Sequence, residues 1–181
     1  MKTWFFKHPN TLKFFINVYP PLFFSGIKVI SIDPDFHRCR VKLKNWPSTR
    51  NANGTQFGGS LFSMSDCVFG MMLLAILGVD KYYVWDKKSK IIFKNPGIGT
   101  VYLECQISNH LVTEIIANTQ NGNKYFPTVT GTVYDKKGNE VATIQRTLYV
   151  RLKPEYRKQK KVNNNTDDNL VHTTNPVRED R

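Results

Sequence analysis

One stretch constrains this chain more than any other: NANGTQFGGSLFSMSDCVFGMMLLAILG, residues 51–78. It opens polar and glycine-rich, then turns almost wholly apolar. From about Gly59 to Leu77 it predicts one long helix, with Gly78 as the C-terminal stop. Within that helix only Ser60, Ser63, Ser65 and Asp66 are polar. A helix apolar nearly all round is covered on several sides rather than laid on a surface. Its greasiest part, Met64 to Leu77, is broken early by Ser65 and Asp66, and no uninterrupted apolar run reaches the roughly 18 residues of a membrane span.

The flanking sequence supplies the cover. GIKVISIDPDFHRCRVKLKNW reads as two strands around an Asp-Pro-Asp turn. In the second strand Cys39, Val41 and Leu43 alternate with Arg38, Arg40, Lys42 and Lys44. That row of cations is a solvent face or a phosphate-binding face. After the helix the chain reads as nearly all strand. KIIFKNPG ends at a Pro-Gly turn, and TVYLECQIS alternates, with Val101, Leu103, Cys105 and Ile107 on one face. LVTEIIANT reads as that strand continued past a bulge near Asn109, and Asn121-Gly122 as a hairpin turn. YFPTVTGTVYD, the turn KKGN and EVATIQRTLYVRL complete what looks like an antiparallel meander. The expected fold class is α+β: a curved antiparallel sheet wrapped around one long central helix, the geometry of a hotdog fold.

Three segments follow. Residues 1–24 form an N-terminal helical extension, 25–152 the hotdog domain, and 153–181 a basic, polar and Asn-rich tail too poor in apolar residues to order itself. The first segment has apolar bursts broken by His8, Pro9, Asn10 and Lys13, without the continuous apolar run and cleavage site of a secretory signal. A cytoplasmic location is expected. Leu12 to Val18 fits a short amphipathic helix, lying on its own domain or on a membrane surface.

The net charge is +12, and RLKPEYRKQKK, residues 151–161, carries six basic residues against one acid. Such a run attracts nucleic acid, anionic lipid or phosphate ligands, or simply keeps a tail solvated. No helix-turn-helix or base-stacking motif accompanies it, so no specific nucleic-acid partner is expected. The three cysteines form no C-x-x-C pair, and the four histidines lack ligand spacing. No metal site and no cofactor are expected.

The helix start carries the chemistry. Its amides are unpaired and partly positive, and Gly58 with Gly59 lets a ligand approach them closely, as an oxyanion site requires. Asp66 in an apolar helix is a general base, a nucleophile or a structural hydrogen bond to the sheet. Ser63, Ser65 and Cys67 have no visible His-Asp partner. Gly59 and Asp66 lie two turns apart, about 10.5 Å along one helix face. One chain therefore cannot bring both to the same carbonyl. Two chains with antiparallel helices can, which makes the expected site a shared one across a two-fold dimer.

The run GIKVISIDPDFHRCRVKLKNWPSTRNANGTQFGGSLFSMSD resembles the phenylacetate-pathway type of hotdog acyl-CoA thioesterases. Those carry an Asn, a Gly-Gly pair seven residues later, and an Asp seven residues beyond the second Gly. The matching positions are Asn51, Gly58 with Gly59, and Asp66. The later strands look like the same fold, and VWDKK, residues 84–88, resembles a less characterised hotdog subgroup. The resemblance implies thioester hydrolysis with Asp66 as base or nucleophile, the Gly59 amide on the thioester oxygen, and Asn51 positioning water or carbonyl. It implies an acyl-CoA substrate and a homodimer, often paired into a homotetramer. Gly58 and Phe57 would line the substrate site. Lys94, at a strand end, would meet a coenzyme A phosphate or stay solvated. Those enzymes commonly carry His before the Gly-Gly pair, where this chain has Phe57. The alternative is a non-catalytic acyl-CoA-binding hotdog protein with a regulatory role. A dehydratase would pair the helix acid with His37 or His110.

Overall fold

The computed structural model describes residues 2–66 and 68–157. Three short helices come first: α1 (Lys2–Phe5), α2 (Pro9–Val18) and α3 (Pro20–Phe24). Pro9 and Pro20 open α2 and α3, at the position where a missing N–H costs nothing. Leu12 and Ile16, one turn apart, are buried, and α2 packs on strand β1 (Ile27–Ile32).

β1 pairs with β2 (Arg38–Leu43) through the expected turn, in which Asp33 and Phe36 close the backbone. Cys39, Val41 and Leu43 point into the core, and the four cations point away. The polar loop then leads into α4 (Gly58–Ser63) and α5 (Val68–Leu77). Gly78 follows at φ 96°, its N–H on the Leu74 carbonyl. Next come β3 (Tyr82–Phe93), β4 (Val101–Gln106), α6 (Asn109–Thr119), β5 (Thr128–Tyr134) and β6 (Glu140–Leu152). The six strands form one antiparallel sheet in the order β1-β2-β4-β5-β6-β3.

The sheet wraps α5, every residue of which is buried or half-buried. On β5, Gly131 permits the closest approach. A Cβ there would stand 2.8 Å from Leu103 and 3.3 Å from the ring of Phe69 on α5. The segment Gly58–Leu77, taken with its serines and Asp66, is long and apolar enough by length and composition to cross a membrane. In this fold it is the centre the sheet encloses.

The open edge at β1 is closed by a side chain. The Asn17 Nδ2 donates to the Val29 carbonyl at 3.0 Å, and its Oδ1 accepts the Val29 N–H at 2.7 Å. One amide from α2 thus stands in for a neighbouring strand and satisfies both backbone groups.

Four expectations are corrected. The predicted helix 59–77 is two helices, with Met64, Ser65 and Asp66 in a turn between α4 and Cys67, which lies outside the described residues. LVTEIIANT is helix α6, capped by Ser108, whose hydroxyl accepts the Leu111 N–H at 3.1 Å. Asn121-Gly122 ends that helix rather than turning a hairpin: Gly122, at φ 78°, donates to the Thr119 carbonyl at 2.8 Å. The meander holds for β4, β5 and β6 but not for β3, which crosses to the far edge beside β6 while β4 pairs with β2. Of segment 153–181, residues 153–157 are described. Pro154–Tyr156 make a 3-10 turn, and Lys153 N–H bonds the Lys81 carbonyl at 2.8 Å. The rest, including Lys158 to Lys161 of the basic run, lies outside the described residues.

Candidate active site

The helix break has an identifiable cause, and it lies in the site. On β6 the inward positions run Ala142, Ile144, Arg146, Leu148, Val150. Arg146 is the cation in that apolar series. Its side chain is 2% exposed. A guanidinium does not lose its proton in a protein, so a buried one needs partners for its donors. Arg146 has five: Ser65 Oγ at 2.8 Å from Nε, Asp66 Oδ1 at 3.1 Å, Asp86 Oδ2 and Ser89 Oγ at 3.3 Å from Nη1, and the Phe62 carbonyl at 3.2 Å from Nη2. In a continuous helix the Phe62 carbonyl would accept from Asp66 N–H. Arg146 and the Ser65 hydroxyl occupy it instead, and Asp66 N–H turns to Ser63 at 3.1 Å. A side chain inserted into the i→i−4 ladder breaks a helix in this way.

Asp66 is therefore neither lone nor deeply buried, as its apolar neighbours suggest. Its side chain is 66% exposed and ion-paired to Arg146 of its own sheet. It lines an apolar groove of about 580 Å³, walled by Leu12, Ile16 and Leu22 of the N-terminal helices and Met71 of α5.

Asp86 is the second acid on Arg146. Burial raises its pKa above the ordinary aspartate value; the Arg146 charge and hydrogen bond oppose that, and the nearby Asp66 charge adds to it. A bulge at Lys87 aims it. Ser89 pairs across the ladder with Arg146, whereas Asp86 pairs with Leu148, so both face inward although they lie an odd number of positions, three, apart. The VWDKK stretch thus serves the hub through Asp86. Its Trp85 stacks on Tyr149, with ring centroids 4.4 Å apart.

The other expected residues lie elsewhere. Asn51, Gly58 and Lys94 line a separate cleft of about 490 Å³. Asn51 uses its side chain within its own loop: Oδ1 accepts from Asn53 N–H at 3.0 Å and Thr55 N–H at 3.2 Å, and Nδ2 donates to Thr55 Oγ1 at 2.9 Å. Lys94 is ion-paired with Glu140. Gly58 and Gly59 make room for two exposed rings. A Cβ on Gly58 would lie 3.1 Å from Phe93, and one on Gly59 2.4 Å from Phe57. The Gly59 amide, second in α4, is among those a helix leaves without an internal partner. His37 rests its Nδ1 on the Ile107 carbonyl and His110 opens α6; neither lines the cleft or the groove.

Two residues escaped sequence reasoning. Arg146 was signalled by a charge at an inward position of an otherwise apolar alternation. Gln56 lines the Asn51 cleft and is buried. Its Nε2 donates to the Lys44 and Gly99 carbonyls, and its Oε1 has no partner among the described residues. Nothing in the surrounding loop sequence marks it.

An antiparallel sheet curved around a central helix is the architecture of a hotdog fold. The chain belongs to the family described as a domain of unknown function, DUF4442, whose model matches residues 10–150. Solved structures agree in fold. A probable thioesterase of unknown function from Pseudomonas aeruginosa is 17% identical with a TM-score of 0.73, covering 81% of this chain and 97% of that one. A thioesterase from Haemophilus influenzae is 10% identical, TM-score 0.61, covering 79% and 90%. The PaaI protein of the E. coli phenylacetic acid degradation operon is 17% identical, TM-score 0.54, covering 75% and 86%. A comparison with curated proteins finds no match.

Proposed function

We propose that the protein is an acyl-CoA thioesterase acting as a two-fold homodimer, singly or as a dimer of dimers, in the cytoplasm. The observation that carries the reading is the separation of the two half-sites. Asp66 projects from its own fold at a groove, while Gly58 and Asn51 line another cleft. Antiparallel apposition of two copies joins one protomer's acid to the other's amides. Strand β3 suits that apposition, since its outer edge pairs with no described strand and exposes Trp85, Ile92 and Phe93.

In this mechanism the Asp66 carboxylate takes a proton from water as its oxygen adds to the thioester carbonyl carbon. The carbonyl electron pair moves onto oxygen, where the partner subunit's Gly59 amide stabilises it. Collapse breaks the C–S bond. The leaving sulfur takes the proton back from Asp66, giving a carboxylic acid and free thiol. Arg146 holds the carboxylate in place. The coenzyme A phosphates meet Lys94 and, in an adjoining cleft, Lys136 and Lys137.

A second reading has its own support. The Phe57 ring lies over Gly59, and the Asn51 amide is engaged within its loop, so the carbonyl site is less open than hydrolysis requires. A non-catalytic acyl-CoA-binding protein fits those two facts.

Thiol release from a panel of acyl-CoAs, measured on wild type and Asp66→Asn, separates these outcomes. Loss of a general base lowers turnover roughly 10²–10⁴-fold. Equal turnover in both proteins removes Asp66 from the reaction. Binding without thiol release from any acyl-CoA establishes the second reading.

A further inference from the structure

We infer that the N-terminal helices attach the protein to the surface of an anionic phospholipid bilayer. This inference is independent of the hydrolase reading. The first 32 residues contain no acid; the first Asp or Glu in the chain is Asp33, and Lys2, Lys7, Lys13 and Lys28 precede it. On α2, Leu12 and Ile16 pack inward. Phe14, Phe15 and Val18 point the other way and are exposed, Phe14 by 60%. At about 100° per residue, those three share one face of the helix. The rings are continuous: Trp4 meets Phe5, Phe5 meets Phe15 at 4.4 Å, and Phe15 meets Phe14. Tyr19, Phe23 and Phe24 extend the exposed series, Phe24 by 74%.

Cations border this patch. Lys13, Lys28 and Lys42 line a cleft of about 700 Å³ with Phe14, Asn10 and Tyr102, and no acid lines it. Glu104, on the same sheet face, is paired with Arg40. Lys44 lies 4.1 Å from the Trp46 ring centroid, beside Phe23. Aromatic knobs next to a lysine cleft match the two halves of a bilayer interface: rings enter the headgroup-acyl boundary while lysines take the phosphates. A second copy of the chain is the poorer occupant. Two-fold pairing through this patch would bring two copies of the Lys13, Lys28 and Lys42 cluster to one interface, with no acid lining the cleft to offset them. Phe15, Val18 and Tyr19 also wall the groove that Asp66 lines, so the attached face borders it.

Co-sedimentation of the full chain with sucrose-loaded vesicles tests the inference. Neutral phosphatidylcholine is compared with phosphatidylcholine mixed with phosphatidylglycerol. Wild type is expected to pellet with the anionic vesicles, less so as salt rises. Each lysine removed in Lys13→Gln/Lys28→Gln is expected to weaken binding about fivefold. Phe14→Ser/Phe15→Ser is expected to release the protein, and Phe24→Ser, at the most exposed ring, to weaken binding without touching the packing of α2. Equal binding to neutral vesicles, or no binding to either kind, overturns the inference. So does binding unchanged in every variant, which would assign it to the basic run after Leu152. So does a Phe14→Ser/Phe15→Ser protein that loses an oligomeric state yet keeps its vesicle binding.

Discussion

Arg146→Met tests the hub on which the helix break and the position of Asp66 depend. Methionine keeps most of the buried stem and removes the charge. Five hydrogen bonds disappear, but they are unequal. Asp66, two-thirds exposed, rehydrates, so its lost ion pair costs at most about 1 kcal/mol. Ser65 still donates to the Phe62 carbonyl, which limits the cost there to about 1 kcal/mol. Asp86, 30% exposed, is left as a partly buried charge without its cation. Breaking a buried pair from one side costs 3–5 kcal/mol, and partial exposure brings this case to about 2 kcal/mol. The expected total is about 3–4 kcal/mol near neutral pH, read from urea unfolding followed by circular dichroism. The deficit should depend on pH in a defined direction. Asp86 has a raised folded pKa, so the folded chain holds that proton more tightly than the unfolded chain. Its charge therefore lowers stability above the folded pKa, and the penalty fades as pH falls toward the ordinary aspartate value. Removing Arg146 removes the opposing influence and enlarges the penalty. The deficit of Arg146→Met should shrink on acidification, and adding Asp86→Asn should recover much of it at neutral pH. A deficit below about 1 kcal/mol, or one indifferent to both pH and Asp86→Asn, would refute the reasoning.

Other outcomes follow from the same structure. Asn17→Ala should cost about 2 kcal/mol in unfolding free energy, because the Val29 N–H and carbonyl lose their partners at the sheet edge, and amide exchange at Val29 should accelerate. Gly131→Ala should destabilise by about 1–3 kcal/mol, since its methyl meets Leu103, Phe69 and the Glu104 carbonyl in the core. Gly59→Ala should leave the melting temperature nearly unchanged, because the exposed Phe57 ring can swing aside and alanine favours the helix by up to about 1 kcal/mol. On the hydrolase reading, Asp66→Asn should lower thiol release roughly 10²–10⁴-fold while shifting unfolding by about 1 kcal/mol or less, given its exposure.

The candidate site was read from the sequence in pieces. The glycine pair and Asp66 drew notice by their spacing in an apolar segment, and Asn51 by the family resemblance. Their surroundings did not follow. Asp66 reads as a buried acid because its neighbours in sequence are apolar, yet the turn that carries it outward is imposed by Arg146, eighty positions along the chain. The glycines read as room for a ligand, whereas two of the groups pressed against them are the chain's own rings, Phe57 and Phe93.

What the sequence determined by itself was the inward face of nearly every strand. Period-two alternation allows one burial pattern on β2, β4 and β6, and Gly78 and the KKGN turn end or reverse the chain by backbone conformation alone. Tertiary structure decided what short-range pattern leaves open. The segment 109–119 suits helix or strand by composition, and the helix that buries Ile115 and Thr119, one turn apart, is what the fold selects. A helix is broken where a distant guanidinium takes one of its carbonyls. A bulge at Lys87 puts Asp86 and Ser89 on one face, which strict alternation does not allow. Each of these depends on contacts between residues far apart in the chain, where local propensity differs by less than the free energy of a single buried ion pair.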